Sequence, residues 1–262
     1  MIRGFIAPFL CALVFASTGC GPGDDETTGP AERPISGSSA AVLIEAYGDS
    51  TTEGYTVTDG IGKINPENQI VVLQDMLRQR FGPSVTVNNE GVGSTQASQL
   101  LNGTDGRHPI WAQQMAQSKA DIIMIEYGLN DTYFFANPRE GLESESPDRF
   151  EKILVELVST AKNAGKQVVL VEPGPSCNPF REPTLAYYVM RIDRVAKQLN
   201  VPLVQHYWPT IERPDWQSLL SDCTHPTTQL YAAHAKSSYA VVAPIVEKLM
   251  HSARAGHAQI SP

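Results

Sequence analysis

A hydroxyl, an imidazole and a carboxylate held in line can cleave an ester without a metal, and this chain carries all three where apolar runs stop. Ser50 closes the segment "EAYGDS", and Asp222 and His225 stand three residues apart in "DCTH". Attack by a serine needs a base for its proton, a group that fixes the base's tautomer, and donors aimed at the tetrahedral oxyanion. The Asp222 to His225 spacing lets the carboxylate reach one ring nitrogen while the other faces Ser50. Taken singly, each residue has a plainer reading: Ser50 or Asp222 as a helix N-cap, His225 as a surface histidine ahead of a proline-started helix. Asn130, in "GLND", offers a side-chain amide as an oxyanion donor, or else ends a strand in an Asx turn. Asp131 beside it reads as a local stabiliser. In "NEGVGS", residues 89–94, Gly91 and Gly93 permit unusual φ values that would turn a backbone N–H toward the oxyanion.

These residues need elements that bring them together. The runs 41–48, 84–91, 120–128, 166–174 and 201–207 are short, rich in β-branched residues and closed by Gly, Pro or polar residues, which predicts five strands. Amphipathic stretches near 66–80, 95–117, 148–164 and 181–199, and a last one after His225-Pro226, predict the helices between and after them. Alternation of this kind predicts an α/β fold, a doubly wound three-layer sandwich around a five-stranded parallel sheet. In such sheets the ligand site lies beyond the carboxyl ends of the strands. The Ser50, 89–94, Asn130 and His225 segments all fall there.

In this order the four segments resemble the sequence blocks of the SGNH hydrolases, also called the GDSL esterase/lipase family, and the likeness spans nearly the whole folded region. It implies a flavodoxin-like sandwich and hydrolysis through an acyl-serine, with no metal and no cofactor. Carried over, Ser50 is the nucleophile, His225 the general base and then acid, and Asp222 its orienting carboxylate. The oxyanion hole draws on the Ser50 N–H, Asn130 and a second-loop donor. There the chain departs from the family pattern Asn-x-Gly-x-x-Gly: counted from Asn89, the last glycine is replaced by Ser94. Either Gly93 serves after a one-residue shift or Ser94 gives its own N–H. A second departure is Cys223, where small residues are usual. Cys177 follows the fourth strand and Cys223 adjoins the histidine, so a disulfide between them would tie two loops of the same rim; two free thiols are the alternative.

The remaining polar residues read blandly. Glu45 and Glu126 lie within strands, His234 lacks partners at ligand spacing, and no metal site is expected. Residues 133–135, "YFF", follow Asn130 and either line a pocket or pack beneath a loop.

Of the 262 residues, 42% are hydrophobic, enough for one substantial core, and the formal net charge of -8 leaves no basic field for nucleic acid. Residues 1–19 read as an export signal: Arg3, an apolar stretch too short for the ~20 residues that span a bilayer, then small residues. Cys20 stands where a lipoprotein would be lipidated, which would give membrane anchoring at the cell envelope; plain cleavage to a periplasmic or secreted product is the alternative. Residues 20–39 read as a flexible linker, 40–251 as the hydrolase domain and 252–262 as a tail. The expected substrate is a small-molecule or glycan ester with a short acyl group, and the expected oligomeric state is a monomer. A catalytically silent carbohydrate-binding or surface-assembly module and a glycan acyltransferase are the rival readings.

Overall fold

The structure, a computed structural model, describes residues 41–258, and side chains as far as Ala253. The export signal, the linker with Cys20 and the last four residues lie outside the described residues. The elements in chain order are β1 (Val42–Gly48), α1 (Ser50–Glu53), β2 (Tyr55–Thr58), β3 (Ile61–Ile64), α2 (Gln69–Phe81), β4 (Val85–Gly91), α3 (Ala97–Asn102) and α4 (Trp111–Gln117). They continue with β5 (Ile122–Glu126), α5 (Leu129–Ala136), α6 (Pro147–Asn163), β6 (Gln167–Val171), α7 (Glu182–Leu199), β7 (Leu203–Val204), α8 (Tyr207–Ile211) and α9 (Thr228–Ala258).

Five strands form one parallel sheet in the order β4-β1-β5-β6-β7. The chain moves outward from β1 to β4, then returns to the other side of β1 at β5, so the strand order reverses between β1 and β5. In doubly wound sheets a reversal of this kind marks where the ligand crevice lies, beyond the strand ends. The central strand β5, "IIMIE", is buried at every residue, as a strand covered on both faces must be. Its alternate residues serve two cores. Ile123 and Ile125 pack with Trp111, Phe150, Leu157 and Tyr188 from α4, α6 and α7; Ile122 and Met124 pack with Leu73, Leu77, Val242 and Val246 from α2 and α9. This is the three-layer α/β/α sandwich expected.

The structure differs from the sequence reading in five places. A β2–β3 hairpin, turned at Asp59 and Gly60 with φ of 53° and 74°, was not anticipated. Stretch 95–117 is two helices, because α3 stops at Gly103, where φ is 65° and a Cβ would lie 2.4 Å from the Ile110 nitrogen. Segment 129–136 is helix α5 rather than loop, and the fifth strand shrinks to Leu203–Val204. At the other end α9 runs past His251 to Ala258.

Candidate active site

Strand β1 ends against α1 with no room for a side chain: a Cβ on Gly48 would lie 2.1 Å from Thr52 Oγ1 and 2.6 Å from the Glu126 carbonyl. Only glycine lets the chain turn into the helix here. Asp49 is the N-cap, accepting from the Thr51 N–H at 2.9 Å, so the reading of Ser50 as a plain cap fails. Buried as it is, the Asp49 carboxyl is pushed up to about 8. With the cap supplied by its neighbour, Ser50 is the first helical residue and its hydroxyl is free to lie 2.9 Å from His225 Nε2.

The histidine is held from behind. His225 Nδ1 meets Asp222 Oδ2 at 2.7 Å, while Asp222 Oδ1 accepts from the backbone N–H groups of His225 (2.7 Å) and Thr224 (3.1 Å). Partial burial pushes the Asp222 carboxyl up, but the hydrogen bonds and charge from His225 outweigh it and hold the carboxylate below its ordinary range. Ser221 closes the turn with both its N–H (2.7 Å) and hydroxyl (3.0 Å) on the His225 carbonyl. The hairpin grips the same loop: Tyr55 presents its ring to His225 with centroids 4.7 Å apart, Val57 N–H donates to Ser221 Oγ, and Thr56 Oγ1 donates to the Pro226 carbonyl. Cys223 is bonded to Cys177, with Cα atoms 4.8 Å apart, and the Cys177 N–H and Ser176 hydroxyl both donate to the Cys223 carbonyl.

The second loop is pinned to α1. Asn89 Nδ2 donates to the Thr52 carbonyl at 2.8 Å, and its Oδ1 accepts from the Gly91 N–H at 3.0 Å. Neither Gly91 nor Gly93 has the positive φ expected of it; Ser94 does, at 64°. The two glycines serve close approach instead. A Cβ on Gly91 would lie 2.2 Å from the Glu53 nitrogen, and one on Gly93 would lie 2.7 Å from Glu53 Oε2 and 3.8 Å from Ser50 Cβ. The left-handed conformation thus falls at Ser94, the sixth residue counted from Asn89. Neither the Gly93 nor the Ser94 N–H has an acceptor among the described residues.

A second Asp-x-x-His unit braces this loop from outside. Asp105 accepts from the His108 N–H and from His108 Nδ1 (2.7 Å), and His108 Nε2 faces Glu90 Oε2 at 3.3 Å. Arg107 pairs with Glu90 at 2.7 Å and donates to the carbonyls of Asn89 and Gly91. Among the described residues no hydroxyl is hydrogen-bonded to His108, so the unit repeats the Asp222–His225 geometry without a nucleophile.

Asn130 opens α5. Gly128, with φ of 132°, turns the chain there, and Asp131 caps it by accepting from the Gly128 N–H (2.8 Å) while also holding the Ala97 N–H (2.9 Å). Asn130 Nδ2 donates to the Thr95 carbonyl at 3.0 Å, tying this loop to the second one. Its Oδ1 accepts from Arg181 at 3.2 Å. Of the aromatic set, Phe134 is buried, Phe135 is exposed, and Tyr133 lies under the Arg181 guanidinium at 4.5 Å and edge-on to Phe180.

His225 therefore contacts both Ser50 and Asp222, Gly93 lies against Ser50, and Asn130, in the first turn of α5, is hydrogen-bonded to the loop that carries Gly93 and Ser94. Arg181, Tyr55 and the buried Glu145 behind Asp131 escaped the sequence reading; each reaches the site from a distant element, and no local pattern marks it. Glu45 accepts from Tyr47 and Ser118, and Glu126 from Thr52, as strand carboxylates with local partners. His234 is buried and stacks on His206 with centroids 4.0 Å apart. Among the described residues no group of three or more His, Cys, Asp or Glu is arranged to hold a metal.

The model of the GDSL-like lipase/acylhydrolase family matches residues 46–233. Among solved structures, the chain is similar to the lipase/acylhydrolase from Enterococcus faecalis, at 16% identity and a TM-score of 0.59 over 80% of this chain and 96% of that one. It is also similar to Axe2, an acetylxylan esterase from Geobacillus stearothermophilus (18% identity, TM-score 0.57, 76% and 93% covered). A third is the acetyl xylan esterase AlAXEase (16% identity, TM-score 0.56, 76% and 98% covered). At these identities the likeness is one of fold. Comparison with curated proteins found no match.

Proposed function

The chain belongs to the GDSL-like lipase/acylhydrolase family and is a serine hydrolase of carboxylic esters, and from that premise we propose that Ser50, His225 and Asp222 are its catalytic triad and that it acts on esters of short acyl groups. Ser50 Oγ attacks the ester carbonyl while His225 Nε2 takes the hydroxyl proton. Asp222 holds the ring in the tautomer that leaves Nε2 unprotonated and stabilises the imidazolium that forms. The oxyanion is received by the Ser50 N–H, the second Nδ2 hydrogen of Asn130 and a second-loop N–H, from Gly93 or Ser94. The imidazolium then protonates the leaving alkoxide, and water activated by the same nitrogen releases the acid from Ser50.

The observation that carries this reading is the unbroken relay from Ser50 Oγ to His225 Nε2 at 2.9 Å and from His225 Nδ1 to Asp222 at 2.7 Å. It also disfavours a silent binding module, which has no need of an aligned base. Acetyl esters of carbohydrates are the preferred substrates in this proposal, supported by the folds shared with acetyl xylan esterases. The Cys177–Cys223 bond suits an oxidising compartment, which supports export, with Cys20 as the lipidation candidate; no helix among the described residues is long and apolar enough to cross a membrane.

Ser50→Ala is expected to lower kcat on p-nitrophenyl acetate by at least about 10³-fold with an unchanged thermal melt. Turnover equal to the wild type would reject the nucleophile. A series from acetyl to decanoyl esters, run beside acetylated xylan, tests the acyl preference, and rising kcat/KM with chain length would reject it.

A further inference from the structure

Oxyanion donation by Asn130 depends on which way its amide faces. The carbonyl and NH2 ends of an amide are nearly the same size, so packing alone does not choose between them; hydrogen bonds do. Turned the wrong way, the group would point a partially negative oxygen at the charge it has to stabilise.

Two contacts set the choice in opposite senses. The Thr95 carbonyl can only accept, so it takes one hydrogen of Nδ2 at 3.0 Å. The guanidinium of Arg181 can only donate, so it claims Oδ1 at 3.2 Å. The remaining Nδ2 hydrogen is left for the cleft. The same guanidinium donates through Nε to the carbonyl of Leu129 at 3.0 Å and lies 3.5 Å from Thr224 Oγ1, next to the histidine. One planar fork thus contacts the residue before Asn130, Asn130 itself and the residue before His225. It stacks over Tyr133 and has no carboxylate ion-pair partner among the described residues, so none of its donors is drawn off to a salt bridge. Burial lowers the affinity of Arg181 for its proton, against the opposing charges of Asp49 and Asp222. The turn that carries it begins at Asn178, directly after Cys177, which the disulfide ties to the histidine loop.

We propose that Arg181 is a positioning residue for ester hydrolysis, holding the Asn130 amide with its NH2 toward the oxyanion. This rests on the reading of Ser50 as nucleophile and Asn130 as oxyanion donor. Arg181 touches neither substrate nor reacting atoms; it acts through Asn130.

The test is a double-mutant cycle on the full chain with p-nitrophenyl acetate, comparing wild type, Arg181→Met, Asn130→Ala and the double variant. Loss of an oxyanion donor costs on the order of 10²- to 10³-fold in kcat, so a misaligned one is expected to cost Arg181→Met about 10- to 100-fold, with KM within about twofold. In the Asn130→Ala background the same substitution should cost less than about threefold, because there is no amide left to orient. A purely structural arginine would instead cost the same in both backgrounds, and that result, or an unchanged kcat in Arg181→Met, overturns the proposal. If Arg181→Met loses its cooperative melt, Arg181→Lys, which keeps the stem and charge but lacks the fork, replaces it in the cycle under the same criteria. Ser50→Ala run alongside separates the two levels: if it still turns over, the reading of the nucleophile fails, whatever Arg181 does.

Discussion

Ser94 holds a φ of 64°, a region that costs an L side chain roughly 1 to 2 kcal/mol relative to glycine. Serine accepts it, and the backbone N–H that follows from this conformation requires no particular side chain. Ser94→Gly is therefore expected to change stability by less than about 1 kcal/mol, since relief of strain is offset by the greater freedom of glycine in the unfolded chain. Its kcat/KM should remain within about twofold of the wild type. Gly91 answers to a different constraint. A methyl there would meet main-chain atoms of Glu53 at 2.2 Å, and backbone cannot step aside as a side-chain tip can. Gly91→Ala should destabilise by about 2 to 3 kcal/mol or more and displace the helix that carries Ser50, lowering kcat as well. Urea denaturation and steady-state kinetics on both variants decide the matter; a tolerant Gly91 and an inactive Ser94→Gly would reverse the assignment.

Between elements, the loop carrying Asp222 and His225 is held by two structures of unlike origin, the β2–β3 hairpin and the bond from Cys223 to Cys177. The bond closes a separation of 46 residues, which the chain-entropy model values at about 4 kcal/mol. Cys177→Ala/Cys223→Ala is expected to lose up to that amount in urea denaturation and to lower kcat more than it raises KM, because the histidine loop gains freedom. Cys223 also has a positive φ, 65°, so Cys177→Ala/Cys223→Gly should recover about 1 kcal/mol of the loss. Identical stability of the oxidised wild type and both variants would show that the disulfide contributes nothing to holding the loop. The disulfide was within reach of sequence reading because both cysteines flank polar segments at strand ends. The hairpin was not: every residue of β3 is exposed, so no apolar alternation marks it, and its Asp-Gly turn alone is a weak signal. Strands β1, β5 and β6 were legible to within a few residues because each is a mostly buried apolar run, and β4 because its buried Val85 and Val87 alternate with polar residues up to Gly91. Helix α5 was hidden because its start is set by the Gly128 turn and the Asp131 cap rather than by periodicity. The residues that do chemistry announce themselves by type, whereas Arg181, Tyr55 and Glu145 matter only through where the fold delivers them.

For the molecule as a whole, the decisive charges are buried carboxyls. Glu145 is fully buried; its Oε1 accepts from the Ser98 N–H, while Oε2 finds no donor among the described residues, and the charge of Asp131 acts on the group. A proton held on Glu145 would remove the repulsion between the two carboxyls. Burial, and then the charge of Asp131, carries Glu145 up to about 10; burial likewise raises Asp131 and Glu172, and lifts Asp49 to about 8. In the unfolded chain such groups ionise near 4. The folded state therefore holds more protons than the unfolded one above that point, and stability falls as pH rises, from about 4 through 8 for Asp49 and through 10 for Glu145. Two groups act in the opposite sense at the acid end: Asp222, held low, loses its contribution as pH falls through the carboxylate range, and buried His234, kept neutral by burial and by His206, loses its own below about 6.5. Two or more raised carboxyls outweigh the single histidine between about pH 4 and 6.5, so stability should peak at acid pH, near the ordinary carboxylate range, and decline toward pH 9. Glu145→Gln isolates one contributor, because glutamine can keep the bond to Ser98 and donate to Asp131 yet has no proton to lose on unfolding. Relative to the wild type, the variant should gain at least about 1 kcal/mol between pH 6 and pH 9 in urea denaturation. Parallel pH profiles for the two proteins would mean that Glu145 is already ionised in the fold, and the account of a proton held on Glu145 would have to be abandoned.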